Sequence, residues 1–298
     1  MRVSHRKRSK YFPYLLLSPT ILALLLITIF PLIYGLNLSV RHVILYQLEE
    51  GQPFIGLDNF ISMLNDPMFF NALNLTSVLV VATVSLELLI GLALALLLNK
   101  EFRGAGVVTT ALLMPMMMAP IVVGLMWKFM YNYDFGIFQY LLDLIGIPKM
   151  LFLGSGSLAL PSIIVADIWQ WTPFMMLVIL AGLRSLPRAP FEAAMIDGAS
   201  GPRVFADITL PLLKPIILIA VLLRAIDSFK MFDQIFIMTR GGPGIATEVF
   251  SMHIYLRAFA YYYVGYATAM ALTMLYAVSV IAAPLIKNIE SSFESKGT

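Results

Sequence analysis

The 298-residue chain has no cysteine, so it can form no disulfide and offers no thiolate to a metal. Its three histidines, His5, His42 and His253, lie in three separate segments, and the acidic 37–72 connection lacks any metal-ligand spacing. There is no G-x-x-x-x-G-K-[ST] phosphate loop, which leaves the chain without an evident means of using ATP itself. Charge is scarce as well: Asp, Glu, Lys and Arg make up 12% of the residues, against about a quarter in ordinary soluble domains. The polar residues are too scattered to supply the convergent nucleophile, base or metal ligands of a membrane enzyme.

What the chain has is apolar sequence, 60% of its residues, gathered into long runs. Six runs exceed the roughly 20 residues that a helix needs to cross the hydrocarbon core: Tyr14–Leu36, Leu73–Leu98, Val107–Met130, Leu158–Leu183, Leu210–Met238 and Val264–Ile286. The expected fold class is therefore an all-α integral membrane protein with six transmembrane helices. A basic tail at 1–13 leads into the first run, the membrane domain fills 14–286, and 287–298 forms a second tail. The first run is too long for a signal-peptide core and no small-residue cleavage site interrupts it, so it is expected to be retained. The fifth run is the least uniform, because Arg224, Asp227, Lys230 and Asp233 lie inside it.

Orientation follows from the basic residues of the connections. Arg2, Arg6, Lys7, Arg8, Lys10, Lys100, Arg103, Arg184, Arg188, Arg203, Lys287 and Lys296 fall on one side; only Arg41, Lys149, Arg240 and Arg257 fall on the other. The first group marks the cytoplasmic face, so both termini and the 184–209 loop are expected there. The net charge of +3 is a topology signal, with no reason to infer nucleic-acid binding.

That 184–209 loop is unusual. "SLPRAPFEAAMIDGAS" places Ser and Pro before a short helix-competent segment, and Gly198 and Gly201 after it. Pro202 prevents continuation, and "ITLPLLKP" opens the next span. The segment predicts a short helix along the membrane surface, bent at each end. Taken alone, it suits an amphipathic interfacial linker as well as a docking element.

Its spacing resembles a family signature. Glu192-Ala193-Ala194, Gly198, Ile208, Leu210 and Pro211 reproduce the E-A-A loop of the membrane subunits of binding-protein-dependent ABC importers. "FIGLDNF" at Phe54–Phe60, "DP" at Asp66–Pro67, "TRGGPGIAT" at Thr239–Thr247 and "GYATAMA" at Gly265–Ala271 resemble the carbohydrate branch of that family, of the maltose and glycerol-3-phosphate permease type. The resemblance runs from about residue 11 to 290. It implies the type I importer fold, with a coupling helix in which Glu192, Ala193, Ala194, Asp197 and Gly198 meet a cytoplasmic ATPase. It also implies a second homologous permease chain, two ATP-binding subunits that use ATP and Mg, an extracytoplasmic solute-binding protein and a carbohydrate substrate. No cofactor is expected on this chain, and the location implied is the cytoplasmic (inner) membrane of a bacterium or archaeon.

Charged residues inside a span usually face the bundle interior. At about 100° per residue, Arg224, Asp227, Ser228 and Met231 share one stripe, with Asp233 opposite and Lys230 between. Two readings stand: a cavity face, or structural ion pairs Arg224–Asp227 and Lys230–Asp233 one turn apart. On the fourth run, "DIWQWTPFMM" offers Trp169, Gln170, Trp171 and Phe174 beside Pro173. Aromatic rings stack on sugar faces, but Trp also anchors spans at interfaces. By resemblance to the maltose permease, its solute-contacting positions fall on Gln170, Trp171, Phe174, Arg224, Asp227, Ser228 and Met231, although that permease has no ion pair there. "RAFAYYYVGY" at Arg257–Tyr266 suits an interfacial anchor or a docking surface. The rival class is an ion-coupled secondary transporter using Arg224, Asp227, Lys230 and Asp233 as a relay, though no obvious internal repeat of the kind many such carriers have supports it.

Overall fold

The computed structural model describes residues 12–100 and 102–294. The basic tail expected at 1–13 lies outside these residues except for its last two positions, as do residues 295–298 of the second tail. Among the described residues the chain is helical throughout, with two isolated β-bridges and no strand. It divides into two compact units, one of residues up to Asn65 together with Ile254–Thr273, the other of Asp66–His253 and the residues from Met274.

Five helical stretches are long and apolar enough to cross a membrane: Tyr14–Ser39, Pro67–Leu98, Ala159–Ser185, Gly201–Met238 and Val264–Ile289. The run expected as a straight third span is instead two short helices, Ala105–Met117 and Pro120–Met130, bent by 96°. Two prolines cause the bend. Pro115 lacks the N–H that would continue the first helix. Pro120 drives Ala119 out of the helical region, to ψ 137°, and Met118 before it is extended as well, at ψ 142°.

In the first unit, helix α1 (Tyr14–Ser39) leads to a turn that Asn59 ties together. Its side-chain amide donates to the carbonyls of Ser39 at 2.8 Å and Arg41 at 3.0 Å. A Cβ at Gly265 would lie 2.3 Å from the Arg41 carbonyl oxygen and 3.3 Å from the Asn59 amide nitrogen. The "GLDNF" and "GYATAMA" segments therefore meet in one packed corner, where only glycine fits.

In the second unit, α2 (Pro67–Leu98) starts at Asp66, whose carboxylate accepts from the Met68 N–H at 2.9 Å, with Pro67 at the first helical position. It packs along α3 (Ala159–Ser185), and α4 (Leu210–Phe229) crosses both. Their shared core includes Ala95, Met176, Ile179, Leu180 and Leu213. The helices approach closely at Gly91, where a Cβ would stand 2.7 Å from that of Met175 and 2.9 Å from the Met176 nitrogen. Small residues at helix contacts let backbones meet in membranes. Gly91→Val should destabilise the unit by about 1–3 kcal/mol through overpacking. Gly106→Ala, with nothing within 4 Å, should not. Thermal midpoints of the two variants in detergent check this; equal midpoints would refute the close contact.

The fifth run also differs from a single helix. Helix α4 ends at Phe229, Lys230 to Phe232 leave helical geometry, and a short helix α5 (Asp233–Met238) follows. The Ser251 hydroxyl donates to the Met231 carbonyl freed by the break. The loop after α5 is closed by Thr247, whose hydroxyl lies 2.7 Å from that of Thr239 and donates to the Gly242 carbonyl at 2.8 Å.

Candidate functional site

Arg224 lies in α4 with its side chain 2% exposed. Its Nε and Nη2 donate to the two Glu87 oxygens, each at 2.7 Å, in a bidentate fork from α2. Nη2 also donates to Asp167 of α3 at 2.7 Å, and Nη1 to Asp227 at 2.9 Å. Glu87 and Asp167 are buried at 0% and 1%, whereas Asp227 is 42% exposed. The guanidinium therefore joins all three packed helices, and a buried charge of this kind persists only when paired and hydrogen-bonded. It also lies under Trp171, with the guanidinium carbon 5.0 Å from the ring centroid.

Above this cluster opens a cavity of about 340 Å³, lined by Pro120, Asp167, Trp171, Asp227, Lys230, Met231, Phe232, Asp233 and Gln234. Its size falls at the low end of ligand pockets, about 300–1,000 Å³. Of the residues expected at the solute site, Trp171, Asp227 and Met231 line it. Arg224 and Ser228 are buried behind it, Ser228 lying 2.9 Å from the Thr83 hydroxyl. Phe174 meets Trp171 edge to face at 6.5 Å.

Gln170 is fully buried and engaged at both ends. Its amide donates to the Met118 carbonyl at 2.9 Å, and its oxygen accepts from Gln234 at 2.6 Å. The backbone oxygen that the proline break exposes is thereby satisfied inside the protein, as irregular backbone at membrane depth requires. Trp169 turns elsewhere, edge on to Trp127 at 5.9 Å.

The helical stripe expected through Met231 ends with α4 at Phe229, so Met231 reaches the cavity by the chain break and not by periodicity. The same break brings Asp233 to the cavity wall, where a continuous helix would have turned it away. Lys230 pairs with Asp227, its Nζ 3.5 Å from Oδ1, and not with Asp233 as the one-turn spacing suggested. Glu87 and Asp167 join the cluster without being expected there from helical spacing. Each is a lone carboxylate in an apolar span, and that expense is itself the signal.

The short helix of the 184–209 loop, α6, spans Ala189–Ile196. It ends in a closed turn: Ala199 N–H donates to the Ala194 carbonyl at 2.9 Å and Gly198 N–H to that of Met195 at 3.2 Å. Gly198 has φ +69°, the left-handed value that glycine adopts at low cost in this cap. Ala194 is buried, while Glu192, Ala193, Asp197 and Gly198 are exposed. So are two apolar side chains, Met195 at 72% and Ile196 at 87%.

Residues 87–293 match the family described as binding-protein-dependent transport system inner membrane component. The chain belongs to this family. It is an integral membrane permease subunit of a binding-protein-dependent ABC importer. It is 37% identical to the trehalose/maltose transport system permease protein MalF of Thermococcus litoralis, over 92% of this chain and 91% of that one. The sulfoquinovosyl glycerol transport system permease protein SmoG of Agrobacterium fabrum is 36% identical, over 87% and 84%. A crystal structure of a bacterial ABC transporter involved in import of the acidic polysaccharide alginate superposes with a TM-score of 0.82, covering 94% of this permease and 96% of that chain at 23% identity. Family membership displaces the ion-coupled carrier. Among the described residues no group of His, Cys, Asp and Glu could hold a metal ion.

Proposed function

We propose that this permease forms part of the path for a carbohydrate, and that solute meets it in the cavity under Trp171. The observation that carries the reading is the pairing of the Trp171 ring with the half-exposed Asp227 carboxylate in one small cavity. A ring presents an apolar face to a sugar, and a carboxylate accepts from its hydroxyls. The names of the trehalose/maltose and sulfoquinovosyl glycerol permeases support the substrate class.

The loop at 184–209 faces the cytoplasm, as do both termini and the tails at 1–13 and 287–298. Glu192, Ala193, Ala194, Asp197 and Gly198 form the docking surface for a separate ATPase subunit, which uses the ATP and Mg. The uncovered Met195 and Ile196 support this, since exposed apolar side chains on a surface helix suit a partner. The assembly comprises this chain, a second homologous permease, two ATP-binding subunits and an extracytoplasmic binding protein in the inner membrane. ATP and the loaded binding protein both favour one of two states that differ by a few kcal/mol.

Asp227→Ala and Trp171→Ala should each lower solute uptake by about tenfold, the loss of roughly 1.4 kcal/mol. Assembly should survive, because Glu87 and Asp167 still hold Arg224. Uptake in proteoliposomes, with co-purification of the partners as the control, measures both; normal uptake by both variants would sink the cavity assignment.

A further inference from the structure

The cavity wall also carries a charge selection. Resting on the carbohydrate reading of the same site, we infer that the cavity admits solutes without negative charge and disfavours anionic ones, such as uronates. Arg224 is the cation an anionic sugar would seek, yet it is not available to one. Its Nε, Nη1 and Nη2 all donate to carboxylates, and its side chain is 2% exposed. Arg224 is thus a positioning residue, holding Asp227 and the Trp171 ring in place.

The charged groups on the wall itself are Asp167, Asp227, Asp233 and Lys230. Lys230 is the one ammonium among these lining residues, and Asp227 lies 3.5 Å from it. Arg224, behind the wall, is matched by buried Asp167, which leaves two accessible carboxylates, Asp227 and Asp233, against one accessible ammonium, Lys230, so the accessible balance is negative. An anion entering the cavity therefore meets like charge in a poorly screened site, whereas the hydroxyls of a neutral sugar find acceptors in Asp227 and Asp233.

The test is equilibrium dialysis of the complete importer, purified with its partners but without the binding protein. Radiolabelled trehalose and digalacturonate are the neutral and anionic probes, each up to tens of millimolar. Trehalose should bind about tenfold more tightly, and Trp171→Ala should remove that binding. Asp233→Asn lies outside the Arg224 cluster and should narrow the ratio about twofold. Equal or tighter digalacturonate binding that Trp171→Ala abolishes would overturn the charge selection and keep the site. An unchanged ratio in Asp233→Asn would do the same. Binding of both probes that Trp171→Ala leaves intact, or no trehalose binding, would overturn the site and the selection together.

Discussion

Arg224→Ala should be the most damaging single change in the protein, and its damage should fall on assembly before transport. Removing one partner from a buried ion pair costs about 3–5 kcal/mol, because the remaining charge is left without compensation. Here two carboxylates, Glu87 and Asp167, lose their partner at once, on two different helices. The expected result is little recovered complex, or a thermal midpoint in detergent well below those of Asp227→Ala and Trp171→Ala. Arg224→Lys should fall between, since an ammonium cannot reproduce the bidentate fork on Glu87. Replacing the set together, as Arg224→Met with Glu87→Gln and Asp167→Asn, should restore much of the assembly without restoring uptake, because no bare charge remains. Fluorescence-detected size exclusion and midpoint measurements on these variants decide the matter. An Arg224→Ala complex that assembles and melts like the parent would mean that the three carboxylates do not depend on Arg224.

Glu192→Lys should act at the opposite end of the mechanism. Glu192 is exposed on α6, so the chain itself should fold normally; surface substitutions of this kind usually change stability by about 0.5 kcal/mol or less. Reversal of charge at the proposed docking surface is another matter, since like charges brought together there cost several kcal/mol. Uptake should drop by at least about tenfold. Either the ATPase subunits fail to co-purify, or they remain and hydrolyse ATP without moving solute. The ratio of solute imported to ATP consumed distinguishes the two. Unchanged coupling would remove Glu192 from the docking surface.

The hydrophobic runs announced the spans, because a helix in lipid must be apolar along its whole length and no tertiary contact is needed to see it. Gly198 was equally legible: a glycine at the end of a short polar-flanked helix predicts the left-handed turn it adopts. The breaks were harder. Pro115 and Pro120 were visible in the third run, yet their 96° bend depends on what receives the freed carbonyl of Met118, and that is Gln170, distant in sequence. The end of α4 at Phe229 has no proline to mark it, so helical periodicity runs past it through Met231 and misplaces Asp233, four residues on. At the site, Arg224 and Asp227 showed themselves by spacing within one helix. Their long-range partners show only as lone carboxylates in apolar spans, and the pairing itself stays hidden, since periodicity relates residues on one element and says nothing of which helices face each other.

The Arg224 cluster also fixes an order of events during synthesis. A charged side chain at the centre of an inserting helix costs about 2.5–3.5 kcal/mol. Glu87 reaches the membrane first, and its guanidinium is made 137 residues later. Until then α2 must stay in the bilayer on the strength of its own apolar residues. The mean hydropathy of its 18-residue window, 2.5, is the highest of the five candidate spans. The oiliest helix is thus the one that has to carry a carboxylate alone for longest while the ribosome catches up.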